Sequence, residues 1–294
     1  MSPKEGYADP MEKAPVSVIV PVKNEEANLR RSLPALPWAD EIFVVDSQST
    51  DGTVKLAQSL GANVVQFYFN GTYPKKKNWA LESLPLRNEW VLIVDADEVL
   101  TPELAAEIRD AVKRDGVDEY YINRRFMFMG RWIKHCGYYP SWNLRLFKHR
   151  LGRYERLGDH ADTGSGDNEV HEHIVVNGKA ATLKNAMLHF AYPDIATWIE
   201  KHNRYSSWEA HMSVTSHDGH TVRLVQAPLG LRMKRTLRSA SRALPWRPTF
   251  RFAYHYILRG GFLDGREGLI LCRLMGWYEY ISMVKETELR RKLV

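Results

Sequence analysis

The sequence predicts an α/β protein, a mostly parallel sheet flanked by helices with a basic, amphipathic helical region at its carboxyl-terminal end. Three observations predict it. Short β-branched runs alternate with helical segments of about ten residues, the pattern of right-handed βαβ crossovers. Two of those runs end abruptly in acids, Val44-Val45-Asp46 and Val91-Leu92-Ile93-Val94-Asp95-Ala96-Asp97-Glu98. From Gly219 to Leu263 there is no acidic residue at all, while arginines and large apolar residues interleave.

Taken in order, residues 1 to 14 are polar, carry Pro3, Gly6 and Pro10, and read as a loose tail. Val16 to Val22 is β-branched and forms a strand, and Asn28 to Leu33 follows at helical spacing. Glu41 to Asp46 is a second strand. Asp51-Gly52-Thr53 leads into an amphipathic helix with Val54, Leu56, Ala57 and Leu60 inward and Gly61 as its cap. Ala62 to Phe67 reads as a third strand, Lys77 to Leu81 opens another helix, and Trp90 to Val94 returns to the sheet as a strand buried on both faces. Thr101 is a good N-cap, with Pro102 at the first helical position and Glu103 favoured by the helix dipole. Glu119 to Asn123 is a further strand, continued by an aromatic and basic stretch through Arg124, Phe126, Phe128, Arg131 and Trp132, whose rings suit either a sugar face or a packed core. Near the end, Pro245 and Pro248 separate two helices. The expected organisation is a tail at 1–14, an α/β domain at 15–215, and a basic helical region at 216–294.

A chain of 294 residues with 44% hydrophobic content can bury a substantial core. The net charge of +6 points to an anionic partner, whether nucleotide, nucleic acid or membrane surface. Cys136 and Cys272 stand far apart without metal-ligand spacing, which argues against a disulfide framework or a zinc site and fits a reducing cytoplasm. No apolar run approaches the roughly 18 to 20 residues of a spanning helix. The expected location is cytoplasmic, peripheral on the inner face of the cytoplasmic membrane.

In parallel sheets, ligands sit at the carboxyl ends of the strands, where Asp46, Asp95 and Asp97 fall. Strand alternation projects Asp95 and Asp97 to one side, where they can grip a hard divalent cation that neutralises a diphosphate. The plainer alternative is that these acids only end a strand and feed the next helix. The polar loop from Asp46 to Thr53 adds a glycine that permits close backbone approach, with Asp46 and Asp51 able to accept from a base or ribose.

Pro21-Val22-Lys23-Asn24-Glu25-Glu26, Val45 to Thr53 and Asp95-Ala96-Asp97-Glu98, in this order and spacing, resemble the family 2 glycosyltransferases of the GT-A fold. Within them the chain is similar to the bacterial lipopolysaccharide-core β-1,4-glucosyltransferase group, whose pattern also matches Lys77 to Leu81, Trp142 to Phe147, Val170-His171-Glu172 and Gly261 to Gly265. The resemblance covers most of residues 15 to 285. It implies a nucleotide-sugar donor, a divalent metal, Mg or Mn, and inversion at the anomeric carbon by direct displacement. Carried over by position, it sets Pro21, Lys23, Glu25, Asp46 and Asp51 around the nucleotide, Lys77, Asn78, Asp95 and Ala96 on the donor, and Asp97 on the metal. It also offers His189 to close the metal shell, a role that competes with that of a core histidine.

Inverting transfer needs a carboxylate beside the acceptor hydroxyl, distinct from the metal ligands. Glu172 is the first choice: in the strand read from Val170 to Val176, alternation sets it on the face opposite His171 and His173. Trp142 and Arg145 are candidates for acceptor or pyrophosphate, Arg145 because its fork suits anionic oxygens. Arg232, Lys234, Arg235, Arg238, Arg242 and Trp246 fit helices lying in an anionic membrane interface. The expected partners are therefore a nucleotide-sugar donor, a lipid-attached saccharide acceptor and a membrane surface, with no nucleic acid. Two rivals are a sugar-nucleotide nucleotidyltransferase, which normally begins with a glycine-rich phosphate loop absent from Pro21 to Asn28, and a non-enzymatic nucleic-acid-binding protein, which leaves the ordered carboxylates unexplained.

Overall fold

The computed structural model describes residues 13–155, 174–215 and 246–292. They group into two compact units, the first within Met1–Arg125 and Pro140–Ala191, the second within Phe126–Tyr139 and Tyr192–Val294. In chain order the first unit contains β1 (Ala14–Val22), α1 (Glu26–Ser32), β2 (Ala39–Asp46), α2 (Thr53–Ser59), β3 (Asn63–Gln66), α3 (Lys76–Ser83), β4 (Trp90–Ile93), β5 (Glu98–Val99) and α4 (Pro102–Ala111). It continues with most of β6 (Glu119–Phe128), whose last residues pair with β7 (Arg131–Trp132) in the second unit, and with β8 (Trp142–Lys148), β9 (Gly152–Tyr154), β10 (Ile174–Val176) and β11 (Ala180–His189).

The main sheet runs β3-β2-β1-β4-β8-β6-β11-β5. The first four strands are parallel, as the alternation of strands and helices requires, and β8, β6, β11 and β5 extend the sheet, with antiparallel pairings of β8 to β4, β6 to β8 and β11 to β5 that make it mixed. The continuous aliphatic runs have two destinations. Val18, Val20, Val44 and Leu92 join Leu29, Leu104 and Ile108 in one core cluster. Ile19, Val45, Val91 and Ile93 join Ala80, Leu81 and Phe147 in the other. Adjacent residues on one strand therefore serve opposite faces, and truncating a side chain such as Ile19 to Ala would cost about 2–5 kcal/mol.

Thr101 caps α4 as expected, accepting from Leu104 N at 3.2 Å. Gly61 takes a left-handed φ of +80° after α2. Leu60, expected inward, is instead exposed at 42%, because α2 ends at Ser59 and the helical period no longer governs the next side chain.

The second unit contains α5 (Ile195–Thr215), α6 (Arg247–Ala253), a π-type turn at Tyr254–Leu258, a short tight turn at Gly261–Asp264 and α7 (Gly265–Lys292). α5 and α6 both pack along α7. Phe126 and Phe128 are core residues rather than sugar platforms, and Trp198 is buried and stacked on His202 with ring centroids 3.6 Å apart. Asp264 accepts from Lys134 N and His135 N at 3.1 and 2.8 Å, tying the 126–139 segment to the start of α7. Among the described residues no helix is long and apolar enough to cross a membrane.

Candidate active site

The register of the parallel strands builds the site. Val22 lies opposite Asp46 and Ile19 opposite Ile93, so the loops after β1, β2 and β4 leave the sheet at one edge. The first two loops are laced together. Asn24, at φ +55°, donates its backbone N to Ser49 Oγ at 2.8 Å and accepts Thr50 N at its own Oδ1 at 2.8 Å. Glu25 N donates to Thr53 Oγ1 at 2.8 Å, and Gly52 N to Glu26 Oε2 at 3.0 Å. A Cβ on Gly52 would meet the end of that Glu26 side chain, which would have to swing aside and give up its hydrogen bond to Gly52 N.

The two acids of these loops act as struts. Asp46 is fully buried and accepts from Ser49 N at 3.0 Å, from the Ser49 hydroxyl and from Gln66 Nε2 at 2.9 Å. Asp51 accepts from Thr53 N at 3.0 Å and the Thr53 hydroxyl, and from Glu26 N at 3.3 Å. Burial pushes the Asp51 carboxyl up, but the Thr53 hydrogen bonds outweigh it and hold it below the ordinary carboxylate range. Pro21 is buried within β1, whereas Lys23 is exposed on the loop rim and Glu25 is half-buried, accepting from Asn28 Nδ2 at 2.7 Å.

Behind the β4 edge lies a web of charge. Asp95 receives Lys77 Nζ at 2.9 Å on Oδ1 and Arg145 Nη2 on Oδ2. Arg145 also reaches Glu98 Oε1 at 2.6 Å, and Arg124 Nη1 meets the same oxygen at 3.2 Å. Glu98, fully buried, accepts the Asp95 backbone N at 3.0 Å on its other oxygen and so closes the turn. Burial works against every charge here, yet the Arg145 and Lys77 cations hold the Asp95 carboxyl far below the usual range, and Asp95 in turn holds Lys77 well above the usual ammonium range. Arg145 is likewise raised by Asp95 and Glu98 against its own burial.

Arg145 reaches this web through a slip in register. Tyr120 of β6 faces Leu146 of β8 and Tyr121 faces Leu144, leaving Arg145 as an extra residue with nothing opposite it. Such a bulge re-aims a side chain, here toward the acids rather than along the strand face. Trp142, its partner in the sequence reading, stands exposed at the start of β8 opposite Asn123.

Asp97 faces a different surrounding. The antiparallel pairing of β11 with β5 sets His189 opposite Glu98, and His189 Nε2 lies 3.6 Å from Asp97 Oδ2, each side chain about one-fifth exposed. The Asp97 carboxylate oxygen suits a hard cation such as Mg or Mn, and the imidazole nitrogen beside it fits Mn better than Mg. No cluster of three or more metal-ligating side chains occurs among the described residues, so a cation here would complete its shell with ligand or water oxygens.

Lys77 is therefore in the web. Asn78 is committed elsewhere, its amide exchanging hydrogen bonds with the backbone of Tyr154 at 3.0 and 2.9 Å and docking β9 against α3. Ala96 is buried between the two aspartates. Two residues to which the sequence reading gave no site role, Glu98 and Arg124, are in the web, while Lys76, from the same basic run as Lys77, is buried with its ammonium donating to Val22 O at 2.9 Å. No local stretch of sequence signals the burial of Glu98, which comes from the pairing of its strand with β11. Glu172, with His171 and His173, and Arg232, Lys234, Arg235, Arg238 and Arg242 lie outside the described residues; Trp246 belongs to the second unit.

Comparison with known proteins gives the following. The family described as Glycosyl transferase family 2 matches residues 17–166. An uncharacterized glycosyltransferase of Rickettsia bellii (strain RML369-C) is 26% identical over 93% of this chain and 86% of its own length. The lipopolysaccharide core biosynthesis glycosyltransferase LpsC of Rhizobium meliloti (strain 1021) is 31% identical over 69% of this chain and 73% of its own. Among solved structures, a mannosyltransferase from Pyrobaculum calidifontis in complex with GDP-Man and Mn2+ is 19% identical, covers 97% of this chain and 91% of its own, and superposes with a TM-score of 0.49.

Proposed function

Because the chain belongs to the family 2 glycosyltransferases, we propose that it transfers a hexose from a UDP-linked donor to a lipid-attached saccharide, inverting the anomeric carbon, in cell-envelope glycan synthesis. The observation that carries this reading is the pairing of two unlike features in one turn: the Asp97–His189 donor pair, and the cationic web around Asp95. The web holds three cations (Lys77, Arg145, Arg124) against two carboxylates (Asp95, Glu98), a net charge of +1 beside the place where a diphosphate would lie. The similarity to the core-biosynthesis enzyme supports a saccharide acceptor carried on lipid.

In this reading Asp97 and His189 hold a divalent cation, which when bound offsets the charge of the departing nucleotide diphosphate. Lys77 and Arg145 stabilise the same charge from the protein side. Asp46 and Asp51 fix the two loops that receive the nucleotide, leaving Lys23 and Glu25 at the rim to contact it. Glu172 takes the proton of the acceptor hydroxyl as the glycosidic bond forms, and Trp142 offers an exposed ring to the acceptor. The basic residues Arg232 to Arg242 keep the enzyme at an anionic membrane surface where such an acceptor resides.

A panel of nucleotide sugars, assayed for binding and turnover with and without manganese or magnesium, tests the proposal. A UDP-hexose should bind and turn over only with metal; failure of every nucleoside diphosphate to bind with either metal would overturn it. Glu172→Gln should retain donor binding while transfer falls about 10²-fold or more; unimpaired turnover would remove Glu172 as the base.

A further inference from the structure

The second unit carries an apolar face that none of the catalytic chemistry uses. Along α6 and the π-type turn, Trp246, Phe250, Tyr254, Ile257 and Leu258 recur at helical spacing, and all are exposed, Trp246 and Leu258 by 73% and 76%. Phe262 and Leu263 prolong the exposed row on the next turn. The opposite side of α6 is occupied. It packs on α7, where Arg247 reaches Glu279 and Glu286, and Arg251 reaches Glu279. The acids that could have softened the outer face are thus spent on the inner one.

Large apolar side chains left in water along one helix side call for an occupant. The charge pattern selects it. No acid occurs from Gly219 to Leu263, and Arg259 and Arg266, exposed beside the apolar row, make no ion pair with the described carboxylates. A second copy meeting this face with its own would set arginines against arginines with no carboxylate of the segment to relieve them. An anionic bilayer supplies both missing partners, since acyl chains take the aromatic and aliphatic row and headgroup phosphates take the guanidinium rim.

We propose that the face of residues 246–263 is the element that inserts into an anionic lipid surface, with Trp246, Phe250, Ile257 and Leu258 as the inserted side chains and Arg259 and Arg266 at headgroup level. This goes beyond the electrostatic attachment through Arg232 to Arg242, because it makes part of the binding apolar and therefore resistant to salt. It rests on the reading of the chain as acting at a membrane.

The test is partitioning of the full chain onto vesicles of phosphatidylglycerol and phosphatidylcholine, in low and high salt, for the unaltered protein and for Ile257→Ser/Leu258→Ser. Both residues are exposed, so thermal unfolding and UDP binding should be unchanged. The partition coefficient should fall at least about tenfold, with the loss persisting in high salt. Unchanged partitioning would overturn the proposal. So would loss of a dimer by light scattering without loss of vesicle binding, which assigns the face to a second copy. A lowered unfolding temperature with unaltered partitioning would also do so, because it would mean that another part of the chain covers the face. UDP binding is read in the same samples, so failure of the insertion proposal remains distinct from failure of the transferase reading.

Discussion

Asp95 and Asp97 are separated by a single alanine, yet the fold treats them as different reagents. Asp95 is braced by Lys77 and Arg145, and its backbone is held by Glu98, so that its charge is balanced within the protein. Asp97 has a partly exposed imidazole beside it, His189 Nε2 standing 3.6 Å from its Oδ2. Two carboxylates with different neighbours can divide the labour of a site: the cations around Asp95 fix the turn, while Asp97 lies beside the His189 imidazole. Under the proposed function, this Asp-x-Asp is a strut followed by a metal ligand rather than two equivalent ligands.

Substitutions that treat the two acids alike should produce unlike results. Asp97→Asn should cause the largest functional loss, on the order of a thousandfold in metal-supported transfer, while denaturant unfolding stays close to the unaltered chain. Equal loss of activity and stability would erase the distinction. Glu98→Ala leaves buried Arg145 without half of its counter-charge and should cost about 3 kcal/mol of folding stability in denaturant titration. A smaller effect than that of an exposed pair would mean that the web is not what holds the turn.

The pH dependence sharpens the contrast further. The folded Asp95 carboxyl lies far below the unfolded value of about 3.9, so its contribution to stability is fully present above that value and is lost as pH falls toward the folded one. The stability gap between the unaltered chain and Asp95→Asn should therefore be constant from neutral pH to about 5 and narrow below about 4. A gap that changes around neutrality would point to a different titrating group. The smallest effect is expected at Gly52→Ala. The added methyl meets the flexible end of Glu26, so the cost should be about 1 kcal/mol or less, mainly the hydrogen bond from Gly52 N.

Much of the first unit was legible before any coordinates. The strands around Ile19, Val44 and Leu92 are continuous aliphatic runs, and a run that must be buried on both faces has few places to go other than the middle of a covered sheet. The loops of Asp46 and Asp51 were legible as leaving the carboxyl edge of the sheet, and there those acids hold the loops through Ser49, Gln66 and Thr53. Leu60 was misplaced because a helical period says nothing about where the helix stops.

By itself the sequence determined the alternation of strands and helices, the edge at which the acids emerge and the acid-free basic segment, because each is a property of neighbouring residues and of periodicity. Only the tertiary structure decided that Arg145 leaves its strand register to reach Asp95, that Glu98 is the hidden anchor of both, and that His189 meets Asp97. Those pairings join residues about fifty to ninety positions apart through a bulge and an antiparallel return strand. The energy of a buried charge depends on what packs around it in space, and that is not written in any local stretch of chain.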